Sequence, residues 1–107
     1  MAQFDVHANT GQNRTAIPYV VVIQSMRFDN ARTRLVAGLR VAPNRTVADP
    51  TLTPRFRIEG KNVLLDPLQI VAIARPSLGR LVTSLADEVS SSAIINAIDS
   101  VITRAYG

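Results

Sequence analysis

Apolar positions in this chain fall into short runs of strand length, and only the last fifth shifts to a helical period. Phe4-Asp5-Val6 alternates and predicts a short first strand. Residues 8–17 are polar, with Asn9, Gly11 and Asn13, and predict a loop. Pro18 opens a run from Tyr19 to Gln24 that is rich in β-branched residues and apolar on both faces, as in a buried central strand. Asp29-Asn30 signals a turn, and Thr33 to Val41 predicts a second long strand with Leu35 and Leu39 on one face. Gly38 inside that strand marks a bulge or a close backbone approach. Residues 42–54 hold Pro43, Asn44, Asp49, Pro50 and Pro54 and predict an irregular excursion. In Arg55 to Leu65, Phe56 and Ile58 alternate with Arg55, Arg57 and Glu59, which predicts a hairpin turning at Gly60-Lys61-Asn62. Asp66-Pro67 punctuates, Ile70 to Ala74 predicts another strand, Arg75-Pro76-Ser77 with Gly79 a turn, and Leu81 to Leu85 a last short strand.

The period then changes. Asp87 is a helix cap, with Glu88 in the first turn where the helix dipole favours a negative charge. Ile94, Ile98, Val101 and Ala105, flanked by Ala97 and Ile102, form a stripe of period near 3.6. Antiparallel strands followed by one C-terminal helix are therefore the expected architecture, in a single domain spanning residues 1–107.

Composition narrows the chemistry. Without cysteine there are no disulfides, thiolate metal sites or cysteine nucleophiles. The N-terminus has no basic segment followed by an apolar core and no apolar run reaches the length of a membrane span, so a cytoplasmic protein with no membrane association is expected. The formal net charge is +4, and Lys61 is the single lysine among 12 basic residues. The arginines are dispersed, with local pairs at Arg32/Arg34 and Arg55/Arg57, and few aromatics accompany them for base stacking. An acidic protein partner fits this pattern at least as well as nucleic acid, and no sequence-specific nucleic-acid binding is expected.

A catalytic set does not stand out. His7 is the only histidine; beside a polar loop, it reads as exposed and idle. No cluster of ligand types suggests a metal, no glycine-rich loop suggests a phosphate cradle, and no cofactor is expected. Arginine-based ribonuclease chemistry stays open, although no particular set of residues is singled out.

The order of motifs is more informative than any one of them. Gln3-Phe4-x-Val6 opens the chain, a loop leads to Pro18-Tyr19, and Val22-Ile23-Gln24-Ser25 is followed by Thr33-Arg34-Leu35-Val36. The 56–65 hairpin, Leu78, Val82 and Leu85 come next, and the helix carries Ile94-Ile-Asn-Ala-Ile-Asp99. This series resembles the CcdB family of plasmid-addiction toxins across essentially the whole chain. The resemblance implies a mainly β fold of CcdB/MazF-like type: an SH3-like barrel core, a small wing sheet and a C-terminal helix. It implies a homodimer whose interface includes that helix, and a toxin that is not an enzyme. Such a toxin binds the GyrA subunit of DNA gyrase, traps the cleavage complex and is neutralised by a CcdA-like antitoxin. Carried over by position, the gyrase face comprises Arg27, Phe28, Asp99, Thr103, Arg104 and Ala105, and the antitoxin contacts are Phe4, Ser25 and Arg27. Phe28 also reads as a core residue. Where the family ends in Gly and then Ile or Phe, this chain has Arg104 and Ala105 followed by Tyr106-Gly107. Related barrels also cleave RNA, so an endoribonuclease toxin and a homologue that has lost gyrase poisoning are the rival readings.

Overall fold

The computed structural model of the chain describes residues 2–28, 30–42 and 52–102. Asp29, most of the 42–54 excursion, and the terminal Thr103, Arg104, Ala105 and Tyr106-Gly107 lie outside these residues. The elements are β1 (Asp5–Ala8), β2 (Tyr19–Val22), β3 (Thr33–Val41), β4 (Arg55–Ile58), β5 (Lys61–Ala74), β6 (Leu81–Ser84) and α1 (Glu88–Ile102). The strands form one antiparallel six-stranded sheet in the order β4-β5-β3-β2-β1-β6, curled into a nearly closed barrel. This is the mainly β fold with a C-terminal helix that the residue pattern and the resemblance both predict.

Alternation explains the closure. Val6, Tyr19, Val21, Ala37, Leu39, Ile58, Val63 and Leu65 are buried on the concave face, with Val82 of β6 packed against them, so all six strands contribute to one core. Burying each aliphatic side chain of this kind is worth about 1.5–3 kcal/mol. Helix α1 closes one side by inserting Ile94 and Ala97 into the same core, with Ile98 packed beside them. Asp87 caps it as expected: its Oδ2 accepts the Ser90 N–H at 2.9 Å. That hydrogen bond holds the Asp87 carboxyl below its usual range.

Several local expectations change. The two strands read on either side of Asp66-Pro67 are one strand, β5, whose register against β3 slips between Ala37/Ile70 and Gly38/Asp66. Pro67 fits inside a strand because it sits in this bulge, where a missing N–H breaks no ladder bond. Gly38 lies at the slip, and a Cβ there would come within 3.1 Å of Ile17, so it serves both a bulge and a close approach. The hairpin turn is Glu59-Gly60, since Ile58 already pairs with Lys61; Lys61 and Asn62 are strand residues. Both turn residues have positive φ (51° and 78°), the geometry of a two-residue turn that matches strand twist. The hairpin of β4 with the first half of β5, where the resemblance places a wing sheet, is continuous with the barrel sheet and contributes Ile58, Val63 and Leu65 to the main core.

His7 also differs from expectation. It is 4% exposed on β1, facing away from the main core. That convex face carries a smaller cluster of Val20, Val22 and Val36, with Ile73 and Leu78 packed against it. Residues 75–80 run across β1 there. His7 Nδ1 donates to the Gly79 carbonyl at 3.0 Å, and Ala8 N–H donates to the Arg80 carbonyl at 2.9 Å. Polarity and proximity to a loop misplaced His7 because the covering segment is some seventy residues downstream. Gly79 is required by contact: a Cβ there would stand 2.3 Å from the Ala8 carbonyl oxygen. Gly79→Ala therefore forces backbone to move, and urea unfolding is expected to show a loss of about 1–3 kcal/mol.

Candidate functional site

The connection from β2 to β3 is built to hold two side chains outward. Beyond Val22 the ladder continues, with Ile23 N–H donating to the Leu35 carbonyl and Gln24 Oε1 accepting the Leu35 N–H. Ser25 then starts a short 3₁₀ turn, Met26–Phe28: its carbonyl accepts the Phe28 N–H at 3.0 Å and its hydroxyl oxygen accepts the Arg27 N–H at 3.3 Å. Beneath it lies Arg34, fully buried on β3, whose Nη1 donates to the Phe28 carbonyl at 2.6 Å. The same carbonyl accepts the Ala31 N–H at 2.9 Å. With its backbone pinned from both sides, the turn exposes Arg27 and leaves Phe28 54% exposed. The core reading of Phe28 is therefore wrong; the ring stands in solvent.

Phe4 lies at the same end of the barrel. Its N–H donates to the Val22 carbonyl at 2.6 Å, its own carbonyl accepts the Leu85 N–H at 2.9 Å, and the Gln3 side-chain amide donates to the Ile23 carbonyl. The ring is half-buried against the main core, and φ is +70°, a left-handed conformation that a bulky residue adopts only when its surroundings impose it. Phe4, Ser25, Arg27 and Phe28 are thus gathered around the end of β2. Asp99 stands on a different element, exposed on α1. Ile95 and Ile102 are exposed on that helix at 52% and 61%, and with half-buried Ile98 they follow the i, i+3, i+7 spacing of one face.

A second polar constellation escaped the sequence reading. Tyr19 is buried in the barrel with its hydroxyl donating to Glu59 Oε1 at 2.7 Å, and Arg80 Nη2 donates to both Glu59 oxygens at 2.8 and 2.9 Å. Lys61 Nζ lies 5.7 Å from the Tyr19 ring centroid. Burial first, and then the Glu59 carboxylate, push the Tyr19 hydroxyl pKa up; the Arg80 and Tyr19 hydrogen bonds hold Glu59 below the ordinary carboxylate range. Because Tyr19 and Glu59 are 40 positions apart, only the closed barrel reveals the group. Among the described residues no three His, Cys, Asp or Glu side chains gather as a metal site, and no helix is long and apolar enough to cross a membrane.

A lowered Glu59 pKa contributes stability that is present above the unfolded-state carboxylate value and is lost as pH falls through the folded one. Thermal melts of the wild type and Glu59→Gln are expected to differ at pH 7 and to converge as the pH falls from about 5 towards 3. The raised Tyr19 pKa acts at the other end: its contribution is lost as pH rises above about 10, and Tyr19→Phe removes that alkaline dependence.

A family model described as CcdB protein matches residues 3–103. No curated protein sequence matches the chain. Among solved structures, an endoribonuclease from Mycobacterial species superposes with a TM-score of 0.68 at 12% identity, covering 94% of this chain and 88% of that one. A second, titled an endoribonuclease in complex with its cognate antitoxin from Mycobacterial species, gives 0.65 at 11% identity, covering 94% and 92%. At such identities the likeness is one of fold.

Proposed function

The chain belongs to the CcdB family of toxin–antitoxin proteins, and from that premise we propose that it is a gyrase-directed toxin acting by occupation rather than by bond-making. The family match across residues 3–103 carries the reading. The outward Arg27 and Phe28 support it, because a rigid turn presenting a guanidinium beside an aromatic ring loses little conformational freedom on docking. In this reading GyrA takes Arg27, Phe28 and Asp99 together with the terminal Thr103, Arg104 and Ala105. A CcdA-like antitoxin competes around Phe4, Ser25 and Arg27. A second copy of the chain covers the Ile95, Ile98 and Ile102 face of α1. The antitoxin partnership draws further support from the fold-related endoribonuclease that is itself held by an antitoxin.

RNA cleavage is the second reading, favoured by the shared barrel of the mycobacterial endoribonucleases. One experiment separates the two. Purified protein is incubated with gyrase and supercoiled plasmid, and in parallel with a mixed-sequence RNA. The proposal expects linear DNA after denaturation of the complex and intact RNA. Arg27→Ala and Phe28→Ala are expected to raise the concentration needed about tenfold or more. Cleaved RNA without linear DNA overturns the gyrase reading in favour of the nuclease. For the dimer, sedimentation is expected to show two chains per particle for the wild type and one for Ile95→Lys.

A further inference from the structure

A small cleft opens on the convex face of the sheet, away from the main core. It lies between the 9–17 loop and the second half of β5, over the Val20–Gly38 pair of β2 and β3, and measures about 340 Å³ with its open mouth included. The bulge in β5 shapes it. Between Gly38/Asp66 and Ala37/Ile70 the slip leaves Pro67, Leu68 and Gln69 without a partner in β3, and such a bulge re-aims the side chains it carries. The stem of Gln69 approaches Gly38 from β5, and Ile17 approaches it from the loop. A Cβ added at Gly38 would lie 3.3 Å from Gln69 Cβ and 3.1 Å from Ile17 Cγ2. Glycine therefore keeps the space between them open.

The lining divides by chemistry. Ile17, Val20, Val71 and Ile73 are apolar, Asn9, Asn13 and Gln69 are amides, and no charged side chain lines the cleft among the described residues. Asn9 is occupied in holding the loop: its Nδ2 donates to the Ile17 carbonyl at 2.7 Å and to Asn13 Oδ1 at 2.9 Å, and its Oδ1 accepts the Gly11 N–H at 2.9 Å. These bonds anchor the Asn13 amide by its oxygen and leave its NH₂ group as a donor. Gln69 is exposed and its amide has no hydrogen-bond partner within the described chain, so it offers a donor and an acceptor side by side.

We propose that this cleft binds an adenine ring. A planar heterocycle lays its face on aliphatic side chains and presents hydrogen-bonding groups at its edge, which is what a lining split in this way accommodates. A glutamine or asparagine amide pairs at two points with the N6 donor and N7 acceptor of adenine. The two adjacent acceptors of guanine call instead for arginine or lysine, and neither lines the cleft among the described residues. A phosphate or carboxylate entering it would meet no countercharge, so the charged part of the ligand stays outside. With no acid, base or hydroxyl among the described lining residues, the event is binding alone, with no bond broken. The ring has two sources, free adenosine and an adenine exposed on a single strand, and both present the same edge.

The test follows the side-chain amide signals of Gln69 and Asn13 by nuclear magnetic resonance of the isotope-labelled full chain. The probes are adenosine, guanosine, a single-stranded oligodeoxyadenylate and an oligothymidylate of equal length. The adenine probes are expected to shift both amides, with guanosine and the thymidylate strand about tenfold weaker or more. Gln69→Leu keeps the bulk but removes the pairing edge, and is expected to weaken adenine binding about tenfold or more, read from Asn13. Gln12→Leu removes an exposed amide of the same loop that is not in the lining, and is expected to bind as the wild type does. The backbone spectrum of each variant confirms that the barrel is retained. Similar affinity for adenosine and for the adenylate strand assigns the site to the free ring, and a strand bound at least about tenfold more tightly assigns it to single-stranded nucleic acid. The inference is overturned if neither adenine probe binds, if guanosine binds as tightly as adenosine, or if Gln69→Leu keeps the wild-type affinity. None of these readouts involves gyrase, so the toxin reading stands or falls separately.

Discussion

The Glu59 carboxylate closes this barrel. It sits in a two-residue turn between β4 and β5, and its oxygens receive Tyr19 from the second strand and Arg80 from the segment entering β6. β4 and β6 are the opposite edges of the sheet, so this group reaches across the one seam that backbone pairing leaves open. A curled sheet with open edges can unroll or pair with other chains, and a charge-assisted bond at the mouth opposes both. Under it the concave side chains of all six strands can share a single dry core, and α1 can lie over that core rather than over a cleft.

With the interior settled, the surface divides into districts of different character. One end of the barrel gathers the N-terminal turn, the end of β2 and the 3₁₀ segment, tied to one another through the backbone of Phe4, Val22 and Leu85 and through buried Arg34. The helix adds an apolar ridge of Ile95, Ile98 and Ile102. A fold that keeps such different surfaces apart can have one of them covered without rebuilding the others, and barrels of this kind host several functions.

Local chemistry made much of this legible in the sequence. The run from Thr33 to Val41, the alternation at Phe56 and Ile58, the Asp87 cap and the helical stripe through Ile94 each state their conformation within ten residues. The misreadings share one cause: the deciding partner is far away in sequence. Asp66-Pro67 looks like a break because its neighbours cannot announce a bulge against Gly38. His7 looks exposed because Gly79 is needed to bury it, and Phe28 looks equally suited to core or surface until Arg34 pins the carbonyl behind it. The site residues Phe4, Ser25 and Arg27 came from family likeness; nothing in their spacing alone draws the first to the other two.

The position of β1 in the sheet has a consequence in time. The first strand made is flanked by β2 on one side and by β6, the last strand, on the other, with Val6 paired to Thr83. Such pairings give a high contact order and a slow approach to the folded state. At ~5–20 residues per second of synthesis, the stretch between those two partners takes roughly 4–15 s to emerge. During that interval the seam has no far edge to meet, Gly79 has not arrived over His7, and the helix that covers the core does not yet exist. The barrel therefore takes its final form only after β6 has been made, and the end that gathers Phe4 with the 3₁₀ turn is completed at the same late step, when Leu85 N–H meets the Phe4 carbonyl.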